Sequence, residues 1–328
     1  AVADVEVRAE VAEGSGLTGK SYRFNSGSDV LTVDNGKLLG QATQTATLEA
    51  WVKAETEGSI VEKPGALRLY YEGGKIKFAA GNQTIESKSD LSEYTSSADF
   101  AHVTAVMDEA FLYIYINDKE EAKVQRTAQV TGNENKVVLG GNGYVGNIDE
   151  VRIWTVALDS ATVARDYGRY LIGNETGLAA YYTFDYSVDD SFYDTSYNGS
   201  IYNKNHGTVS GAVVDADNIP TISQLGYKGY TGTDGSYTIR ALPYAGNGTT
   251  YMIIPRLGIH QFESEKELRL LNTNSQSHTV NFIDKSSFEV SGTVRYSGGT
   301  VPVQGVSFTV DGVTVMDSKA NIIKTDAQ

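Results

Sequence analysis

The sequence predicts an all-β protein made of antiparallel sandwiches, and three observations carry that reading. Short stretches such as Thr47–Lys53 alternate apolar and polar residues with a period of two, the pattern of a half-buried strand. With 34 Gly and 21 Tyr but only 5 Pro, the turns fall to Gly, Asn, Asp and Ser. One short run, from Leu158 to about Tyr170, reads as helix, with Asp159 or Ser160 as its N-cap. A chain of 328 residues is too long for a single core and implies two or three domains.

Taken in order, Val5, Val7, Ala9 and Val11 alternate with polar residues and predict a first strand, broken by Gly14-Ser15-Gly16. Ser21–Asn25 and Val30–Val33 flank a small loop. Leu48, Ala50 and Val52 share one face of the next strand, and Trp51 takes the other. Strands follow at Ser59–Glu62, Leu67–Tyr71 and Lys75–Ala79, with Gly73-Gly74 as a hairpin turn. His102–Met107 and Phe111–Ile116 form the clearest hairpin, and the second of these is apolar on both faces.

The stretch Gly146–Trp154, followed by Ala157-Leu158, organises the chain. Strict alternation there sets Ile148, Glu150, Arg152 and Trp154 against Asp149, Val151 and Ile153. Beyond the helix come Gly177–Asp185, the loop Tyr193–Gly199 and the segment Asn205–Val209. In this order the motifs resemble the laminin-G-like, or concanavalin A-like, jelly-roll domains over residues 17–213. The resemblance rests on Ala50-Trp51-Val52, the Ile148–Trp154 strand, Gly177–Asp185, Asp194-x-Ser196-x-Asn198-Gly199 and Asn205-His206-Gly207. Tyr182 and Phe100 stand where tryptophan is common in that family.

From about Asp215 the character changes. Thr233–Ile239 is a turn feeding a strand, and Thr250–Pro255, Thr279–Ile283, Phe288–Val294 and Pro302–Val310 read as further strands. These resemble carboxypeptidase-regulatory-like repeats, small immunoglobulin-like sandwiches of bacterial surface proteins. The expected division is a jelly roll over 1–214, the later strands of one such sandwich over 215–284, and the early strands of a truncated repeat over 285–328. The last piece is expected to pack with 226–284 as a split, permuted sandwich.

A formal charge of −14 argues against nucleic acid and against an anionic membrane surface. No stretch is apolar enough to insert in a membrane, and the chain does not open on a signal peptide. There are no cysteines, hence no disulfides. An extracellular or cell-surface setting follows from the resemblance.

Concanavalin A-like glucanases carry paired carboxylates on the strand that matches Asn147–Arg152, but here Asn147 and Val151 or Arg152 stand at those positions. Asp149 and Glu150, being adjacent, are expected on opposite faces, so no carboxylate pair is shared. The expectation is a non-catalytic module that binds an extracellular glycan or surface protein, with a structural spacer or the accessory domain of a polysaccharide-degrading enzyme as alternatives. Tyr193 and Tyr197 are the candidate sugar-stacking residues. Relatives often hold calcium near such loops, so Ca²⁺ on Asp185, Asp194, Asn198 and Asp149 is one reading. An Asx-turn at Asp194 and Asn198 is the other, and the sequence leaves both open.

Overall fold

The computed structural model describes residues 1–12, 19–95, 99–185, 187–188, 190–196, 204–221, 223–286, 293–297, 299–310, 313–316 and 321–326. The chain divides into two compact units, Ala1–Ile283 and Asp284–Gln328.

In the first unit β1 (Glu6–Val11) is followed by β2 (Ser21–Phe24), β3 (Val30–Val33) and β4 (Ala46–Thr56). A meander then runs through β5 (Gly58–Lys63), β6 (Leu67–Glu72), β7 (Lys75–Ala80) and β8 (Gln83–Glu86). Next come β9 (Ala101–Met107), β10 (Phe111–Ile116), β11 (Lys119–Gln125), β12 (Val138–Gly140) and β13 (Val145–Trp154). Helix α1 (Ser160–Asp166) leads to β14 (Leu178–Tyr182), β15 (Ser187–Val188), β16 (Ser191–Phe192), β17 (Gly207–Ser210) and β18 (Val213–Asp215). The unit ends with β19 (Tyr227–Tyr230), β20 (Thr249–Arg256) and β21 (Glu267–Leu271).

Two antiparallel sheets form the jelly roll. Among the described residues one runs β11-β10-β9-β4-β13-β2-β18 with β14 also on β13, and the other runs β15-β16-β17-β3-β12-β5-β6-β7-β8. Leu48, Ala50 and Val52 of β4 and Ile148, Val151 and Ile153 of β13 meet Leu31, Leu69 and Phe78 of the facing sheet in one buried core. Gly73 and Gly74, both at positive φ, make the two-residue turn between β6 and β7 that the sequence predicts. At Gly140 a Cβ would lie 2.1 Å from the Phe24 ring, so only glycine lets the ring pack there.

Asp159 caps α1 by accepting from the Thr162 N–H at 2.7 Å. The helix sets Val163 on Val106 and Tyr115, on the outer face of the β4–β9–β13 sheet. Trp51 is covered on that same face by Phe100, Leu225, Tyr167 and Tyr170.

The first strand departs from the expected grouping. β1 lies inside a separate four-stranded sheet, β19-β1-β20-β21, rather than in the jelly roll. Alternation predicts a strand but does not choose its partners. Val5, Val7 and Ala9 find their apolar partners in Tyr251, Ile253 and Leu271, which form a second small core. The stretches around Tyr237–Ile239 and Thr279–Ile283, expected as strands, run without a ladder.

In the second unit β22 (Thr309–Val310) pairs with β23 (Val313–Thr314). Single bridges join Arg295 to Pro302, Ser307 to Lys324 and Met316 to Ile322. Most of the expected strand Phe288–Val294 lies outside the described residues. Among the described residues no helix is long and apolar enough to cross a membrane.

Candidate functional site

The organising strand β13 is not a simple alternation. Its register against β4 shifts between Asp149 and Arg152, and Glu150 has φ +50°. This bulge inserts a residue, so Ile148, Val151 and Ile153 face the core, not Ile148, Glu150 and Arg152. Asp149 and Glu150 therefore share the outer side, where adjacency alone had put them on opposite faces. Asp149 pairs across the ladder with Trp51, and Glu150 lies by Arg152 at 3.5 Å and accepts from the Tyr181 hydroxyl.

A buried polar layer surrounds them. The Trp154 indole N–H donates to Glu49 Oε2 at 2.7 Å, and Arg152 donates to the carbonyls of Asp166 and Arg169 at 2.9 and 2.6 Å. Thr104 and His102 Nδ1 are 3.3 Å apart, and His102 Nε2 is 4.0 Å from Glu49. Burial drives the electrostatics. It pushes His102 well below its ordinary value, with Arg152 adding to the effect, so the imidazole is neutral. Burial raises Glu49 against the pull of Arg152, and raises Glu150 to about 8 against the same pull. Asp149 is raised well above its ordinary value by burial and by Glu150 and Asp185. Burial lifts Asp185 to about 6, although the Lys20 N–H bonds its Oδ1 at 2.9 Å.

The proposed calcium ligands separate into two places. Asp185 lies near enough to Asp149 for its charge to raise Asp149 further. Asp194 is committed elsewhere. Its Oδ1 accepts from the N–H groups of Tyr181 and Ser196 at 3.1 and 2.9 Å, and its Oδ2 from the N–H and side-chain amide of Asn205 at 3.0 and 3.4 Å. Four donors fill the acceptor positions a cation would use. The Ser196 bond is the Asx-turn. Asn198 and Tyr197 lie outside the described residues. Among the described residues no three His, Asp or Glu side chains are arranged to hold a metal. Tyr193 is half-buried, its ring edge-on to His206 with centroids 5.1 Å apart.

A different group, on the outer face of the other sheet, escaped the sequence reading. Glu62 of β5 stands directly across from Arg68 of β6. Glu62 Oε2 accepts from Ser59 Oγ at 2.6 Å and from the Asn142 amide at 2.8 Å, with Arg68 at 3.4 Å. Arg68 donates to Ser59 at 2.8 Å, and its guanidinium lies 4.2 Å above the Tyr70 ring. The Glu62 and Arg68 side chains keep 17% and 31% of their surface in solvent. The strands of this hairpin were legible. Asn142, which closes the group from the loop before β13, sits 80 residues away from Glu62, and no local pattern joins them.

The family model of the concanavalin A-like lectin/glucanases superfamily matches residues 25–164. No curated protein matches the sequence. Similar solved structures include a Bacteroides ovatus protein proposed to bind carbohydrate, at 17% identity and TM-score 0.49, covering 62% of this chain and 61% of that one. The chain thus spans about three fifths of that protein. Others are domain 4 of the Geobacillus stearothermophilus extracellular arabinanase AbnA with arabinotriose (17%, 0.36, 49% and 86%) and a Ruminococcus gnavus sialidase module with sialyllactose (15%, 0.36, 46% and 98%). Over residues 25–164 the jelly roll is thus similar to domains of the concanavalin A-like lectin/glucanase type.

Proposed function

We propose that the jelly roll is a non-catalytic carbohydrate-binding module of an extracellular or cell-surface protein, and that the sandwich part acts as a spacer. The matched superfamily contains both lectins and glucanases, and the chemistry of the acids favours the first. Glycoside hydrolysis needs two carboxyl groups facing one opening, with the substrate between them. Asp149 and Glu150 are 4% and 1% exposed, so neither faces an opening.

The observation that carries the reading is the Ser59–Glu62–Arg68–Asn142 group. Sugar hydroxyls both donate and accept, so recognition calls for a few fixed polar groups of both kinds beside an aromatic or apolar surface. Glu62 and the Asn142 side-chain carbonyl offer acceptor oxygens, Arg68 offers donors, and the hydrogen bonds from the Asn142 amide to Ser59 and Glu62 hold the group in place before a ligand arrives. Tyr193, at the opposite end of the sheet order, is the second candidate contact. Binding of the intact chain to a glycan microarray, together with an assay for reducing-sugar release, tests both halves of the proposal.

A further inference from the structure

We propose that the cleft between residues 235–242 and 276–281 receives an extended acidic peptide of a partner protein, which docks as an added β-strand. The cleft holds about 750 Å³. Tyr251 and Ile253 of β20, Leu271 of β21 and Val280 give it an apolar floor. In the first wall exposure alternates from Ser236 to Arg240, before Ala241 turns the backbone left-handed at φ +58°, and in the second only Val280 is buried among exposed neighbours. Tyr237, Ile239 and Leu242 are half-buried while Thr238 and Arg240 are exposed, and Val280 is buried while Asn281 is exposed.

Neither wall belongs to a sheet. Among the described residues the backbone groups of 237–242 and 276–282 make no backbone–backbone hydrogen bond. One side-chain bond crosses between the walls, from the Tyr237 hydroxyl to the Val280 carbonyl at 2.9 Å. An extended backbone presents N–H and C=O groups to both sides at the strand repeat, as in β-strand addition, and its alternate side chains would reach the apolar floor.

The charge of the lining selects the other set of side chains. Arg240 and Arg269 line the cleft and no acid does, in a chain with 41 acidic and 27 basic side chains. Arg269 is shared with Glu267 at 3.1 Å, whereas Arg240 is exposed. The best occupant is therefore apolar at alternate positions and acidic between them. An anionic oligosaccharide would satisfy the arginines, but not the open backbone edges or the apolar floor.

The probe is a fluorescein-labelled heptapeptide of alternating glutamate and valine, titrated into the intact chain and followed by anisotropy and by amide hydrogen exchange. Saturable binding is expected, with new protection in both 237–242 and 276–281. A peptide with proline at its centre lacks one donor and should bind about tenfold more weakly or worse. Arg240→Glu, at an exposed position, should weaken binding at least about tenfold with an unchanged melting temperature. The proposal is overturned by no saturation up to roughly 1 mM peptide. Equal binding of the proline peptide, protection confined elsewhere, preference for a heparin-derived hexasaccharide, or self-association of the chain through the cleft would each overturn it as well.

Discussion

Trp154 and Glu49 meet across the β13–β4 ladder, the indole N–H donating to the carboxylate at 2.7 Å with both side chains buried. This bond fixes the end of the organising strand against the middle of the sheet, and Arg152 balances the charge it encloses.

Replacing Trp154 with Phe keeps an aromatic ring but removes the donor, leaving a buried carboxylate short of a partner. Such a loss is expected to cost roughly 3 kcal/mol, with the emptied indole volume included. Denaturant unfolding measures it. If Trp154→Phe is as stable as the wild type, the bond contributes nothing and the layer is held by packing alone.

The buried acids give stability a definite pH dependence. Asp185 and Glu150 have folded values raised by burial to about 6 and about 8, from ordinary values of 3.8 and 4.5. The folded chain thus holds protons that the unfolded chain releases. Their contribution is complete below about pH 4 and is lost as pH rises through about 6 and then about 8. For Asp185 a rise of about two units corresponds to roughly 3 kcal/mol. Asp166 acts the other way. Burial pushes it up, but the hydrogen bonds from Arg165 and Arg169 outweigh that, so its own loss falls below its ordinary value of 3.8. Melting curves between about pH 4.5 and 9 should therefore show stability falling. Asp185→Asn should lessen the fall below about pH 6 and Glu150→Gln should lessen it up to about pH 8; a slope unchanged in both variants would contradict the assignment.

Asp194 is expected to act as a structural staple between β14 and Asn205. Asp194→Ala leaves four donors without their acceptor and should cost about 3 kcal/mol or more. The drop in melting temperature should be the same in calcium and in chelator. A calcium-dependent stabilisation of the wild type that vanishes in Asp194→Ala would restore the metal reading.

The sequence showed where most strands lie and less of how they associate. Periodicity located β4, β6, β7, β9 and β10, and Gly73-Gly74 fixed one turn, because alternation and turn chemistry are local. The bulge at Glu150 was hidden, because alternation assumes one residue per ladder position and nothing local announces an inserted one. Alternation marks β1 as a strand but does not name its neighbours, which lie far along the chain at Tyr227–Tyr230 and Thr249–Arg256. The Asx-turn at Asp194 is one of the two readings that the sequence leaves open. The Glu62–Asn142 bond depends on a loop brought back by the sheet order, and chain-local reasoning does not reach it.

The most direct test of the carbohydrate-binding proposal is a glycan microarray probed with the wild type, Glu62→Ala and Arg68→Ala. The account predicts that the wild type binds a defined set of glycans without releasing reducing sugar. Both variants should lose that binding by about tenfold or more while melting within about 2 °C of the wild type. Tyr193→Ala on the same array reports whether the loop tyrosine adds a second contact. Enzyme-dependent hydrolysis of a bound glycan, or wild-type binding that survives in Glu62→Ala and Arg68→Ala, would contradict it.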